Sequence, residues 1–534
     1  MHILDWIVVG AYFLVMIGIG LWAKRRVHSA RDFFTAGGKM PWWLSGFSHH
    51  MSGYSAAVFV AYAAIAYQLG FVLYVWWALG ITFAMVVGAF AFAPKWPRLR
   101  ERIGIISPLE YLRTRYNLPT QQLLAWSGSA LKVFDVGAKW AATAVLLNIF
   151  SGLPIPWGIV ITGGVTVIYA TIGGLWADAL TDFGQFVIQF IAVIAMIIGT
   201  MRILGVGFPF TIWSQLPASH SQWFNGQYTL LFVMVYLLIN TLSYNGGTWN
   251  LAQRFIASPK GSTARRAALL SAGLYLIWPL FLFMPMWAAP LILPDLKDPT
   301  QAYGLLAEHL LPVGLLGLVL AGIFSHTMAM SSSDSGAISA VVTRDIIPMF
   351  TGKHPNTDSA TTDKTELLQG RLTVLIFTII SMIVALFYQS FGGVIGLIVT
   401  WFGGLVGPIA IPMLWGMLKH ARKAGPVSAI SSWAIGVLVF YLTHFPLAAW
   451  LKATFPSQDQ FLLVGSPVII AIIVFYVTMW IWPKQSAVVD ALVDAIQSDE
   501  AAESPVPEVL AQAVRDADLH RDAPKEKPTS KSAA

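Results

Sequence analysis

The 534-residue chain contains no cysteine, which excludes disulfides, thiolate metal sites and cysteine nucleophiles. Charge is scarce too: 33 Lys and Arg with 26 Asp and Glu make 11% of the residues, where a soluble chain carries about 25%. Hydrophobic residues reach 56% and the mean hydropathy is +0.67, so this is not a soluble protein. Alternating ten-residue strands are missing, which argues against a transmembrane barrel. Paired-histidine zinc motifs are missing as well. The neighbours Ser48-His49 and Ser325-His326 are too local to define a triad, so a membrane-embedded enzyme is disfavoured. A net charge of +7 calls for no nucleic acid, because the basic residues collect in loops on one side.

What is present is a series of apolar runs of bilayer-spanning length, about 20 residues each. They fall near 4–23, 41–66, 71–93, 121–150, 157–175, 180–204, 228–248, 267–293, 312–343, 372–391, 395–418, 427–446 and 462–482. The expected fold is therefore an all-α polytopic membrane protein of about 13 transmembrane helices. Threading from an outside N-terminus puts 23 Lys and Arg in inner connections and only Arg202, Lys297 and Lys452 outside. The positive-inside rule then predicts a cytoplasmic C-terminus in a plasma membrane, of the bacterial inner-membrane type. The first span ends at Lys24-Arg25-Arg26 without a small-residue cleavage pattern, as a retained helix would. Residues 485–534, rich in Ala, Pro, Asp, Glu and Lys, read as a disordered cytoplasmic tail.

Two spans look interrupted. In the second, Gly46 to Ser55 places glycine and polar residues, including His49, His50 and Ser52, where lipid-facing helices need apolar ones. In the seventh, Asn240-Thr241-Leu242-Ser243-Tyr244-Asn245-Gly246-Gly247 does the same. They are five positions apart in the series, an odd number, so they cross the membrane in opposite directions. Matched interruptions in inverted halves point to a secondary transporter whose solute and ions bind at the breaks. The competing explanation is that glycine and serine simply permit close helix packing. His49-His50 invites a metal reading, but adjacent helical residues point about 100° apart and a third ligand is missing, so a hydrogen-bonded polar histidine is the better account.

Taken in order, several short motifs resemble the sodium:solute symporter family, which includes the sodium-coupled sugar, proline and sialic acid carriers. They are Asp32-Phe33-Phe34-Thr35-Ala36-Gly37-Gly38 before Trp42-Trp43, Gly173-Gly174-Leu175-Trp176 leading to Thr181-Asp182 and Gln185, Gln253-Arg254, and a serine-rich helix closing in Thr343-Arg344-Asp345-Ile346. The resemblance runs to about Trp482. It implies a core of five plus five inverted-repeat helices with one helix before and two after. The boundaries would be 1–40 for the leading helix and loop, 41–204 and 205–420 for the repeats, 421–484 for two peripheral helices, and 485–534 for the tail. It also implies alternating access driven by sodium, with sodium as the coupling ion and no cofactor.

Asp182 is the informative acid, since a carboxylate near hydrocarbon is a functional candidate by default. Ser332 and Ser333 lie at similar depth in the 312–343 span, and hard cations take carboxylate and hydroxyl oxygens. The resemblance agrees, because some members bind a further sodium at positions kept here as Asp182, Ser332 and Ser333. The alternatives are serine back-bonding and a first-turn helix acid. The family's main sodium site, by resemblance, would use the carbonyls of Met51, Tyr54 and His326, but its two hydroxyl positions become Ala329 and Met330. Either the register slips so that Ser331 and Ser332 serve, or the site is absent.

Ungapped alignment puts the sugar-contacting positions at Gly53, Val58, Trp77 and Gly80, a set too poor in hydrogen-bonding groups for a galactose-like mode. Tyr244 aligns with the aromatic inner gate, Tyr275 replaces a lysine, and Thr241 in the second break is grouped with them. Lys132, Asp135 and Lys139 share one helical face at i, i+3 and i+7. A structural reading pairs Asp135 with the lysines; a functional one leaves positive charge for a carboxylate solute. The resulting expectation is cation-coupled, sodium-first symport of a small organic solute by a monomer or loose oligomer in the bilayer. Proton-coupled or uncoupled carriage and solute sensing are the alternatives, although the tail offers no output domain.

Overall fold

The computed structural model describes residues 2–351, 360–397 and 403–522. Among these the secondary structure is helical, apart from one isolated bridge between Asn225 and Tyr228. Ten helices are long and apolar enough to cross a membrane, and three shorter apolar helices, Val58–Leu69, Ile155–Ile168 and Leu405–Trp415, lie where further spans are expected. The stretch 398–402 of the expected 395–418 span lies outside the described residues, as do residues 523–534 of the tail. Large apolar side chains such as Leu14, Phe90 and Ile376 are exposed on the outer face, while the interior holds serines, histidines and ion pairs. An apolar outer face around a core that is itself largely apolar, with its polar groups paired inside, is what a lipid environment requires.

Local sequence sets the helix limits. Asn117 caps the Leu118–Ser151 helix by accepting a hydrogen bond from the Thr120 amide at 2.9 Å, with proline in the first turn. The expected 157–175 and 180–204 spans are two helices that follow one another within Ile155–Leu204, separated by a break in helical geometry at Gly174 with φ 54° and ψ −158°. A Cβ at Gly174 would meet the Phe33 carbonyl oxygen at 2.6 Å, so both the dihedral and the close approach demand glycine. Both expected interruptions are present. The Trp42–Met51 helix stops at Ser52 and helical structure resumes near Val58. The Leu230–Leu242 helix passes through a widened turn at Ser243–Gly247, with Gly246 at φ 118° and Trp249 at φ 65°, before Asn250–Ile256. His49 therefore sits in regular helix rather than in the break.

The disordered tail is corrected up to residue 522. Residues 485–522 include the helices Ala487–Ala495, Asp499–Glu503 and Glu508–Asp522. Leu492, Val493, Ile496 and Leu510 are buried, and basic residues from three separate loops hold the segment. Arg98 pairs with Asp499 at 2.8 Å and donates to the Ile496 and Gln497 carbonyls. Lys260 pairs with Glu503 at 2.6 Å, and Arg422 pairs with Asp494 at 2.9 Å and with Asp490 at 3.4 Å. Composition suggested disorder because it averages over a short amphipathic pattern whose apolar face is buried here.

Candidate functional site

The two breaks face one another. Tyr244 donates to the Gly53 carbonyl at 2.7 Å and Tyr275 donates to the His50 carbonyl at 3.0 Å. A Cβ on Gly53 would lie 2.0 Å from the Tyr275 hydroxyl and 2.8 Å from the Tyr244 ring, so only glycine admits this contact. Beside it lies a cavity bounded by Gly53, Tyr54, Val58, Trp77, Tyr244 and Met330. Tyr62, Tyr236, Asn240, Ser243, Asp135 and Lys139 complete its wall. Tyr275 stands behind it, 5.9 Å from the rings of both Trp77 and Tyr54. Thr241 does not line the cavity; its hydroxyl bonds back to the Leu237 carbonyl at 2.8 Å. Gly80 lies against Asn240. His49 bridges Ser271 at 2.9 Å and the Tyr244 carbonyl at 3.0 Å, as a hydrogen-bonded structural histidine does.

Asp182 is fully buried and stands more than two turns past the Gly174 bend, which removes the first-turn helix-acid explanation. Its Oδ2 accepts from Ser48 at 2.6 Å and Ser52 at 3.1 Å, and Arg254 Nη2 lies 3.6 Å away. Ser332 and Ser333 join the cluster through a residue that sequence reasoning missed: both donate to Asp178, Ser333 at 2.8 Å. Ser52 and Ser333 hydroxyls are 2.8 Å apart. Arg254 pairs with Asp178 and also reaches Ser48 and Ser52 at 3.1 and 3.0 Å. Two carboxylates thus share one guanidinium, and Asp182 Oδ1 is buried without a hydrogen-bond partner among the described residues. An i, i+4 pair of aspartates in the span was the available signal for Asp178, whereas the Arg254 partnership is long-range and leaves no local trace.

On the Leu315–Val341 helix, Met330 faces the cavity and Ser332 and Ser333 turn toward Asp178. The Ala329 carbonyl lies 3.1 and 2.6 Å from the two serine hydroxyls and competes with Asp178 for the single proton of each. His326 packs its ring 4.4 Å from that of Tyr54, and Met51 is fully buried at the end of its helix. Ala329 and Met330 themselves contribute only a methyl and a thioether as side chains to this stretch of the helix.

Lys132, Asp135 and Lys139 do share a face, and a fourth member closes the group. Asp135 Oδ2 accepts from Lys132 at 3.0 Å and Lys139 at 2.9 Å. Asp334 accepts from Lys132 at 2.6 Å through Oδ1 and from Lys139 through Oδ2. The result is a buried ring of two cations and two anions joining Leu118–Ser151 to Leu315–Val341. The structural pairing of Asp135 is therefore present, and Asp334 removes the net positive charge on which the carboxylate reading depended.

Apolar helices packed around a buried polar centre, two of them broken where they meet, are the architecture of a membrane transporter. Residues 33–435 match the profile of the Sodium:solute symporter family, and the chain belongs to that family. The chain is 23% identical over 489 residues to the sodium/sialic acid symporter SiaT of Proteus mirabilis (strain HI4320), covering 86% of this chain and 92% of the relative. It is 28% identical over 466 residues to the human sodium/iodide cotransporter, covering 82% and 70%. Among solved structures, a substrate-bound outward-open Na+-coupled sialic acid symporter superposes with a TM-score of 0.74 at 21% identity, over 90% of this chain and 99% of that one. The family and its structural neighbours are transporters, not enzymes.

Proposed function

We propose that this protein carries a small organic solute into the cell by sodium-coupled alternating access, with its five-plus-five helices rocking around the two breaks. The basic end that holds residues 95–102 and the tail faces the cytoplasm, as the loop charges require. The carrying observation is the unbalanced cluster: Asp178 and Asp182 share the single guanidinium of Arg254, and Asp182 Oδ1 is left buried and unpartnered. A buried carboxylate oxygen without a partner is costly, and a monovalent cation removes both deficits at once. Ser48, Ser52, Ser332 and Ser333 surround the acids with hydroxyls of the kind a hard cation accepts. With Ala329 and Met330 in place of its two hydroxyls, the main family site keeps only the carbonyls of Met51, Tyr54 and His326, too few oxygens to replace a hydration shell, so transport uses at most one sodium with a Hill coefficient near one. Tyr244 and Tyr275 act as the inner gate beneath the cavity.

The test is uptake into proteoliposomes under imposed gradients. Asp182→Asn should abolish sodium-driven accumulation while leaving folded protein in the membrane. Unchanged sodium dependence in that variant would sink the assignment. Uptake that survives without sodium and collapses with a protonophore would transfer the role of coupling ion to the proton.

A further inference from the structure

Two members of the four-charge ring, Asp135 and Lys139, line the cavity, and each has hydrogen-bonding capacity left over from the ring. Of the ring's four carboxylate oxygens, both of Asp334 and Oδ2 of Asp135 are engaged with lysines. Oδ1 of Asp135 accepts no hydrogen bond among the described residues, and Asp135 is one of the two ring members that line the cavity. Lys139 is the other; two of its three N–H groups are used within the ring. The cavity therefore presents, side by side, a carboxylate oxygen and an ammonium. Facing them are aromatic walls: Trp77 meets Tyr54 and Tyr62 at centroid distances of 5.5 and 5.2 Å.

Resting on the symport reading, we infer that the solute is a compact zwitterion, with its ammonium group against Asp135 in the aromatic wall and its carboxylate against Lys139. Charge balance carries the argument. The ring is neutral and buried, so a solute with one net charge leaves that charge uncompensated in a low-dielectric centre, at a large cost. A zwitterion adds no net charge, and each of its ends meets an opposite one. The aromatic faces favour the cationic end. An uncharged polyol fares worse: Asn240 and Ser243 offer partners to some of its hydroxyls, but it brings no opposite charge to Asp135 or Lys139. Asp334 and Lys132 keep the solute-facing pair in place from behind; they are positioning residues.

The experiment is thermal-shift and calorimetric binding with purified full-length protein in sodium buffer, using L-alanine, L-proline and glycine betaine as zwitterions, L-lactate as an anion, choline as a cation and glucose as a polyol. At least one zwitterion should bind more tightly than lactate, choline and glucose. Tighter binding of any of those three, or no binding by the zwitterions, overturns the proposal. A paired variant, Asp135→Asn with Lys139→Gln, removes one charge of each sign and leaves Lys132 with Asp334, so the centre stays neutral. It should weaken zwitterion binding about tenfold or more, the loss of charge-assisted contacts, while the thermal shift produced by sodium alone is unchanged. Retained zwitterion affinity in a folded variant overturns the assignment; if the variant does not fold, the wild-type panel decides. Loss of the sodium shift in wild-type protein would count against the coupling site instead and leaves the panel result standing.

Discussion

Two buried ion clusters meet at one turn of the Leu315–Val341 helix and obey different charge arithmetic. Around Arg254 there are two acids for one base, with a carboxylate oxygen left over; around Lys132 and Lys139 there are two of each. The Leu315–Val341 helix serves both. Ser333 turns to Asp178 while Asp334, the next residue, turns about 100° away to the lysines. In a medium that punishes unpaired charge, the excess acid of the first cluster is the basis for proposing a single cation there, and the balance of the second is the basis for proposing a solute of zero net charge beside it.

The largest effect should come from unbalancing the balanced cluster. Asp334→Asn leaves two buried lysines with one carboxylate, and breaking a buried pair from one side typically costs about 3–5 kcal/mol. Expression and the melting temperature in detergent should both fall, and adding Lys132→Met to restore neutrality should recover part of the loss. An unchanged melting temperature would show that the ring is not one unit. Next, balancing the unbalanced cluster with Asp178→Asn leaves Arg254 and Asp182 as a neutral pair. The sodium concentration for half-maximal uptake should then rise about tenfold, equivalent to ~1.4 kcal/mol; a wild-type sodium curve would remove Asp178 from the site. A smaller change is expected from Ala329→Ser with Met330→Ser, which adds hard donors between the two clusters. The Hill coefficient for sodium should move from near one toward two, read from initial uptake rates.

The smallest effect concerns a charge outside both clusters. Burial opposes ionisation of Asp499, but hydrogen bonds from Arg98 and the Ser262 amide outweigh it and hold the carboxyl below its ordinary range. Its contribution to docking is thus complete above the pKa of a free aspartate and is lost as pH falls through the lower, docked value. Limited proteolysis of residues 487–522 should accelerate a few-fold on acidification, and Asp499→Asn should give the faster cleavage already at neutral pH.

The interrupted helices were legible because glycine and polar residues recur at mid-membrane depth in two oppositely directed spans, a match that close packing alone does not explain, and Asp182 stood out because a carboxylate is costly near hydrocarbon. The face shared by Lys132, Asp135 and Lys139 followed from helical spacing. Asp334 and Arg254 were visible as residues but not as partners, since their contacts join positions 195 to 202 and 76 residues apart in the chain and no local pattern encodes that. Thr241 was misplaced because a break marked by composition does not say which side chains turn inward. The tail was misjudged for a different reason: Val489, Leu492, Val493 and Ile496 follow the i, i+3, i+4, i+7 rule of a buried helical face, a signal swamped by the polar residues around them.

That docked tail also has a consequence for how the protein is made. Its anchors at Arg98, Lys260 and Arg422 are synthesised in that order, long before Asp490, Asp494, Asp499 and Glu503 leave the ribosome. Asp499 accepts the Ser262 amide in the first turn of the Gly261–Ile292 helix, so a helix placed in the membrane midway through synthesis receives this end contact only from the segment made last. The three loops therefore wait with unmatched positive charge until translation passes residue 503, and a chain stopped at 484 keeps every membrane span yet never acquires the acidic residues that join them.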